Sequence, residues 1–104
     1  MPELPPSGAG RLAGDFPAVW KSYAALGKSV AEAGALDART RRLLKLALAV
    51  GAGSEGAVQS HARQAREEGI ADAEIRQVTL LAITTLGFPA AMAAYSWVND
   101  ILEK

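Results

Sequence analysis

The chain contains no cysteine. Disulfides, thiol nucleophiles and cysteine-held metals therefore lie outside its chemistry. It has a single histidine, His61, so a zinc site built from several histidines of one chain is not available to it. No metal or cofactor is expected. Excess charge is also missing: 11 basic residues face 11 acidic ones. A balance of this kind carries no signal for nucleic acid or another polyanion. No apolar run reaches the roughly 18 residues of a membrane span, so no membrane partner is expected. The start, MPELPPSGAGRL, lacks the apolar core of a secretory signal, and the cytoplasm is the default expectation. Aromatic residues are few, at 6%.

Alanine is abundant, with 22 copies among 104 residues. It is the best helix former, and its small side chain lets helices approach closely. Half of the residues are hydrophobic, a globular composition rather than a disordered one. A domain of this length with few large side chains has a modest core, which points towards self-association.

Three prolines and three glycines fall in residues 1–14, which read as a loose arm. Helical grammar fills 15–104, read as one domain. Asp15 is the expected cap of a first helix with Pro17 in its opening turn. Phe16, Val19, Trp20, Tyr23, Leu26 and Val30 recur at helical spacing, and Gly34 is the expected stop. Asp37 caps a second helix, broken by Gly51 and Gly53. Ser54 caps a third that ends at Gly69, with Arg66 to Glu68 as its solvated end. Asp72 caps a fourth that ends at Gly87, and a fifth runs from about Ala90 to Leu102. No stretch alternates with period 2 between turn signals. The expected fold is an all-α bundle of about five helices. The fourth helix carries Ile75, Val78, Leu80, Leu81, Ala82, Ile83 and Leu86, apolar nearly all round. Such a helix must be buried on most sides, by its own neighbours or by a second subunit.

The stretch GSEGAVQSH, Gly53 to His61, holds the most chemistry. Ser54, Ala57 and His61 are spaced i, i+3, i+7 and share one helical face, with Val58 and Ala65 beside it. A histidine there is either a packed core residue or a proton carrier near neutral pH. Arg39, Arg41 and Arg42 read as a solvated face, with an anion site as the alternative. Trp20 and Trp97 read as packing, as do Tyr95 and Asn99. Thr84 and Thr85 could donate to helix carbonyls.

The phrase resembles the signature of the carboxymuconolactone decarboxylase family, which includes the alkyl hydroperoxide reductase D-like proteins. Redox members read Gly-Cys-Glu-x-Cys-x-x-x-His after an apolar helix. Gly53, Glu55 and His61 match, while Ser54 and Ala57 stand at the cysteine positions. LDARTRRLLKLALAV upstream and the AEI and GFPAA segments downstream extend the resemblance over about residues 15 to 103. The position of the family's relay glutamate falls at Arg42. The resemblance implies an alkyl hydroperoxide reductase D-like fold and a homo-oligomer, a trimer or hexamer. Peroxiredoxin-type antioxidant chemistry needs a thiolate and a resolving thiol, and Ser54 and Ala57 supply neither. The cysteine-independent branch implies decarboxylase or lyase chemistry. There His61 would act as acid or base, and Arg42, Ser54 and Glu55 would bind a small carboxylate ligand. A non-catalytic member that binds a ligand or partner, and a purely structural oligomer, are the alternatives.

Overall fold

A computed structural model describes residues 8–104. Six helices fill it: α1 (Gly8–Asp15), α2 (Pro17–Ala31), α3 (Ala38–Ala52), α4 (Glu55–Glu67), α5 (Asp72–Leu86) and α6 (Phe88–Leu102). There is no strand among the described residues, so the chain is all-α. No helix is long and apolar enough to cross a membrane. The chain divides into two compact units, one up to Leu36 and one from Asp37 to Lys104.

The first unit holds α1 and α2. The loose arm expected over 1–14 is helical from Gly8, and its first seven residues lie outside the described set. Ala9, Leu12 and Ala13 favour helix locally, and the Arg11 Nε to Asp15 carboxylate contact of 3.0 Å spans one turn. Asp15 therefore ends α1 instead of capping α2. The residue at the α2 cap position is Phe16, with no side-chain cap, and Pro17 occupies the first turn. None of the residues of α2 is buried.

The second unit holds the core. Asp37 caps α3 by accepting from the Thr40 amide at 2.7 Å. Gly51 is inside α3 rather than ending it; Gly53, at φ 66°, is the stop. The Gly53 amide donates to the Val50 carbonyl and the Ser54 amide to the Ala49 carbonyl, the paired bonds of a Schellman ending. Ser54 then opens α4, its Oγ accepting from the Ala57 amide at 3.4 Å. The same device closes α4. Gly69, at φ 87°, donates to Arg66, and Ile70 donates to Ala65. The α5 cap is Ala71, so Asp72 lies in the first turn, where its charge complements the helix dipole. The last helix starts at Phe88, two residues before the expected Ala90.

Leu46, Val58, Ile75 and Val98 are wholly buried, and so are Ala62, Ala65, Ala91 and Ala94. The four alanines belong to α4 and α6, where small side chains let the two axes come close. Thr79 is the one buried polar residue among those described; its hydroxyl donates to the Arg76 carbonyl at 2.7 Å. Thr85 likewise donates to Leu81. The fourth expected helix, α5, is covered on one side only. Ile75 and Ala82 are buried, while Leu80, Leu81 and Leu86 remain exposed.

Candidate functional site

The two-residue turn at Gly53–Ser54 sends α4 back along α3 as a helical hairpin. Arg42 lies eleven residues before Gly53, about 16 Å along α3 at 1.5 Å per residue. The equivalent distance along α4 falls between His61 and Glu68. His61, Ala65 and Glu68 are spaced i, i+4, i+7 and share one face of α4. Ala65 is wholly buried and small. The hairpin thus presents one guanidinium to an imidazole on one side and a carboxylate on the other.

The contacts follow that placement. Arg42 Nη1 lies 2.8 Å from His61 Nδ1. Arg42 Nε donates to Glu68 Oε1 at 2.9 Å, and Nη2 donates to Oε2 at 3.0 Å. The fork-to-carboxylate pair is bidentate, the strong geometry for these groups. The Arg42 side chain is only 17% exposed, against 46% for Glu68. The guanidinium is therefore held in the protein while its carboxylate partner keeps contact with water.

This geometry fixes the histidine chemistry. Arginine is charged at any relevant pH and has only donors. The nitrogen facing it, Nδ1, must then be the acceptor, so the proton of neutral His61 sits on Nε2. An imidazolium would set two N–H groups against each other. Burial of the half-buried ring holds its pKa below the usual histidine range, and the Arg42 and Lys45 charges push it the same way; Glu68 opposes them. His61 is thus kept neutral and presents an N–H donor.

A pH dependence of stability follows. Unfolded His61 takes up its proton near pH 6.5, and the folded chain does so only at lower pH. The unfolded state binds more protons in that window, so stability falls as pH drops from about 6.5 towards the folded pKa. Urea midpoints measured from pH 7.5 to 5.5 should decline, and His61→Gln should flatten that part of the profile. An unchanged slope in the variant would assign the decline to other groups.

Of the other expected site residues, Ser54 is occupied as the α4 cap and Glu55 is exposed in the first turn of that helix. Neither is brought into the Arg42–His61–Glu68 contacts. Arg42 is not a solvated residue, and Glu68 is not merely part of a solvated helix end; sequence reasoning missed the pairing. Its available signal was the i, i+7 spacing from His61 across a hairpin. Arg39 pairs with Glu74. Asn99 accepts from Arg76 at 2.9 Å, and Trp97 packs against the core. Among the described residues, no three or more His, Cys, Asp or Glu side chains are grouped to hold a metal. An open groove of about 550 Å³ runs between α3 and α5. Neither Arg42 nor His61 lines it.

The family model for the carboxymuconolactone decarboxylase family matches residues 17–100. A protein of Haemophilus influenzae (strain ATCC 51907 / DSM 11121 / KW20 / Rd), described as an uncharacterized protein, is 41% identical over 56 residues. The match covers 54% of this chain and 50% of that protein, so the chain spans about half the length of the curated relative. No solved structure matches.

Proposed function

Since the chain belongs to the carboxymuconolactone decarboxylase family, we propose that it is a cysteine-independent member whose site is the Glu68–Arg42–His61 chain. The ligand class is a small carboxylate bearing a carbonyl, such as a lactone acid. The carrying observation is the 2.8 Å contact of Arg42 with Nδ1, which leaves Nε2–H as the group His61 offers. A neutral imidazole held in this state polarises a carbonyl oxygen rather than abstracting a proton. In a decarboxylation, the bond to the departing carbon dioxide breaks and its electron pair moves towards that carbonyl. The Nε2–H bond strengthens as charge develops on the oxygen, and water returns the proton to carbon. Arg42 acts through His61 and holds its tautomer. With its fork on Glu68, Arg42 is less available for the carboxylate than a free arginine would be. Thiol peroxidase and disulfide reductase chemistry have no nucleophile in this chain.

Long-range proton–nitrogen NMR of the sole histidine tests this reading. At neutral pH, Nδ1 should resonate as an unprotonated nitrogen and Nε2 as a protonated one. Titration with a carboxylated lactone should shift Nε2 more than Nδ1. A proton on Nδ1, or no response to any lactone or keto acid at millimolar concentration, would sink it.

A second reading has its own support. The groove between α3 and α5 excludes His61, and large apolar side chains stand exposed on several helices. Both fit a family scaffold that self-assembles, as a trimer or hexamer on the resemblance to the family, with the cytoplasm as its expected place.

A further inference from the structure

Most arginines of the second unit face a carboxylate: Arg39 that of Glu74, Arg42 that of Glu68, Arg66 that of Asp72 and Arg76 that of Glu103. The Lys45 ammonium faces none, and it makes no hydrogen bond or ion pair among the described residues. Lys45 is exposed on α3, at i+3 from Arg42, the spacing of neighbours on one helix face. Leu46, the next residue, is wholly buried, so Lys45 takes the water's edge of that face.

The hairpin puts this cation level with the histidine ring. Lys45 stands eight residues before Gly53 and His61 eight after it, so both lie about 12 Å along their helices from the turn at 1.5 Å per residue. Arg42 is nearly one helical turn farther out, and from there it meets Nδ1. The two nitrogens of an imidazole point apart, so Nε2 is aimed away from Arg42. Lys45 lies on the hairpin-turn side of Arg42, with a flexible four-carbon stem to carry its charge. That charge is felt at the ring, where it adds to burial and Arg42 in disfavouring imidazolium. Arg63 also faces no carboxylate among the described residues. Two residues after His61, however, it points about 200° round α4.

The charges at the site then decide what it attracts. Arg42 and Glu68 cancel in their bidentate pair, and His61 is neutral, so Lys45 supplies the remaining positive charge. Arg42 has Nε, Nη1 and Nη2 engaged by Glu68 and His61, which takes up both edges of its fork. The ammonium keeps three donors free. We propose that Lys45 binds the carboxylate of the ligand while His61 Nε2–H donates to its carbonyl, and that the site selects a ligand with a single carboxylate. This rests on the reading of His61 given above and names the group that recruits the anion. The ligand keeps its one negative charge through the decarboxylation: it leaves the carboxylate as carbon dioxide departs and appears on the carbonyl oxygen. A flexible ammonium can follow that movement, and a fork pinned to Glu68 cannot.

The probe is γ-butyrolactone-γ-carboxylate, with its methyl ester as the uncharged match. Each is titrated into the full chain while His61 Nε2 is followed by NMR. Lys45→Met should weaken binding of the acid by roughly tenfold or more, the size of a hydrogen bond to a charged group, and leave binding of the ester unchanged. Lys45→Arg should retain most of the binding of the acid. In ligand-free Lys45→Met the proton should stay on Nε2, because Arg42 still faces Nδ1. Lys45 is exposed, and circular dichroism should show unchanged helicity in both variants. A lactone carrying two carboxylates should bind no more tightly than the monoacid. Unchanged acid affinity in Lys45→Met, or equal losses for acid and ester, would overturn the role of Lys45 and leave the His61 site standing. Much tighter binding of the dicarboxylate would overturn the selection for a single charge. An Nε2 in the unaltered chain that responds to neither probe would overturn the site reading as well.

Discussion

Replacing Arg42 with methionine is expected to raise the His61 pKa and to weaken binding of a carboxylated lactone at least tenfold. The first effect has two sources of the same sign. The variant removes a positive charge that disfavours imidazolium, and it leaves the Glu68 carboxylate free to favour it. Methionine retains much of the bulk, so packing along the α3–α4 hairpin changes least. The second effect comes from the tautomer. Without a donor at Nδ1, the proton is free to occupy either nitrogen, and part of the population loses the Nε2–H donor. Some of it also becomes charged as the pKa rises. NMR titration of the ring reads the pKa and tautomer, and calorimetry reads the affinity. Arg42→Lys separates charge from geometry. A lysine keeps the positive charge but cannot reproduce the planar fork. It should hold the pKa closer to that of the unaltered chain while still losing lactone affinity. Glu68→Gln should move the pKa downward, since Glu68 is the group that raises it. A pKa that stays put in Arg42→Met would remove Arg42 from the histidine's electrostatics, and the site reading with it.

The helix boundaries that could be read from the sequence are those set by local chemistry. Asp37 and Ser54 each carry an oxygen one turn before an amide that needs it, and the structure uses both. Gly53 and Gly69 stand where a left-handed residue must reverse the chain. Asp15 and Asp72 have the same capping chemistry, yet neither caps. Asp15 is drawn into α1 by its contact with Arg11, and Ala71 takes the cap position before Asp72. The approach of Arg42 to Glu68 could not be read locally. They are 26 residues apart, and their meeting depends on the exact phase at which the Schellman ending at Gly53 returns the chain.

That meeting also alters what the lost signature groups imply. The resemblance reads Arg42 as a charge reversal at a relay position, with Arg42 as a carboxylate-binding group of the His61 site and no carboxylate of the chain joined to them. The structure returns a carboxylate from the far end of α4, with the arginine between it and the ring. A carboxylate directly beside a histidine would favour imidazolium and a proton-moving role. A guanidinium in between favours neutral imidazole and a donor role. The same histidine position thus supports a different chemistry, with Glu68 anchoring the arginine instead of relaying protons.

Leu46→Ala is expected to cost about 2–5 kcal/mol of stability, the range for emptying a leucine site in a packed core. Leu46 is wholly buried and leads the large side chains of this core. Its neighbours in the core are largely alanine and valine. Short, stiff side chains have few rotamers with which to refill the space, so the upper part of the range applies. Against a total of about 5–15 kcal/mol for an ordinary domain, a loss of this size leaves a substantial unfolded fraction in mild denaturant. Leu48→Ala is the matched control, two residues along α3 and 72% exposed. A surface truncation of that kind should stay within about 0.5 kcal/mol. Urea titrations monitored by circular dichroism read both, and the slope with denaturant should be unchanged if only stability moves. Equal losses for the two variants would mean that α3 is packed around Leu48 as firmly as around Leu46. A loss at Leu48 that grows with protein concentration would instead place that leucine under a neighbouring subunit.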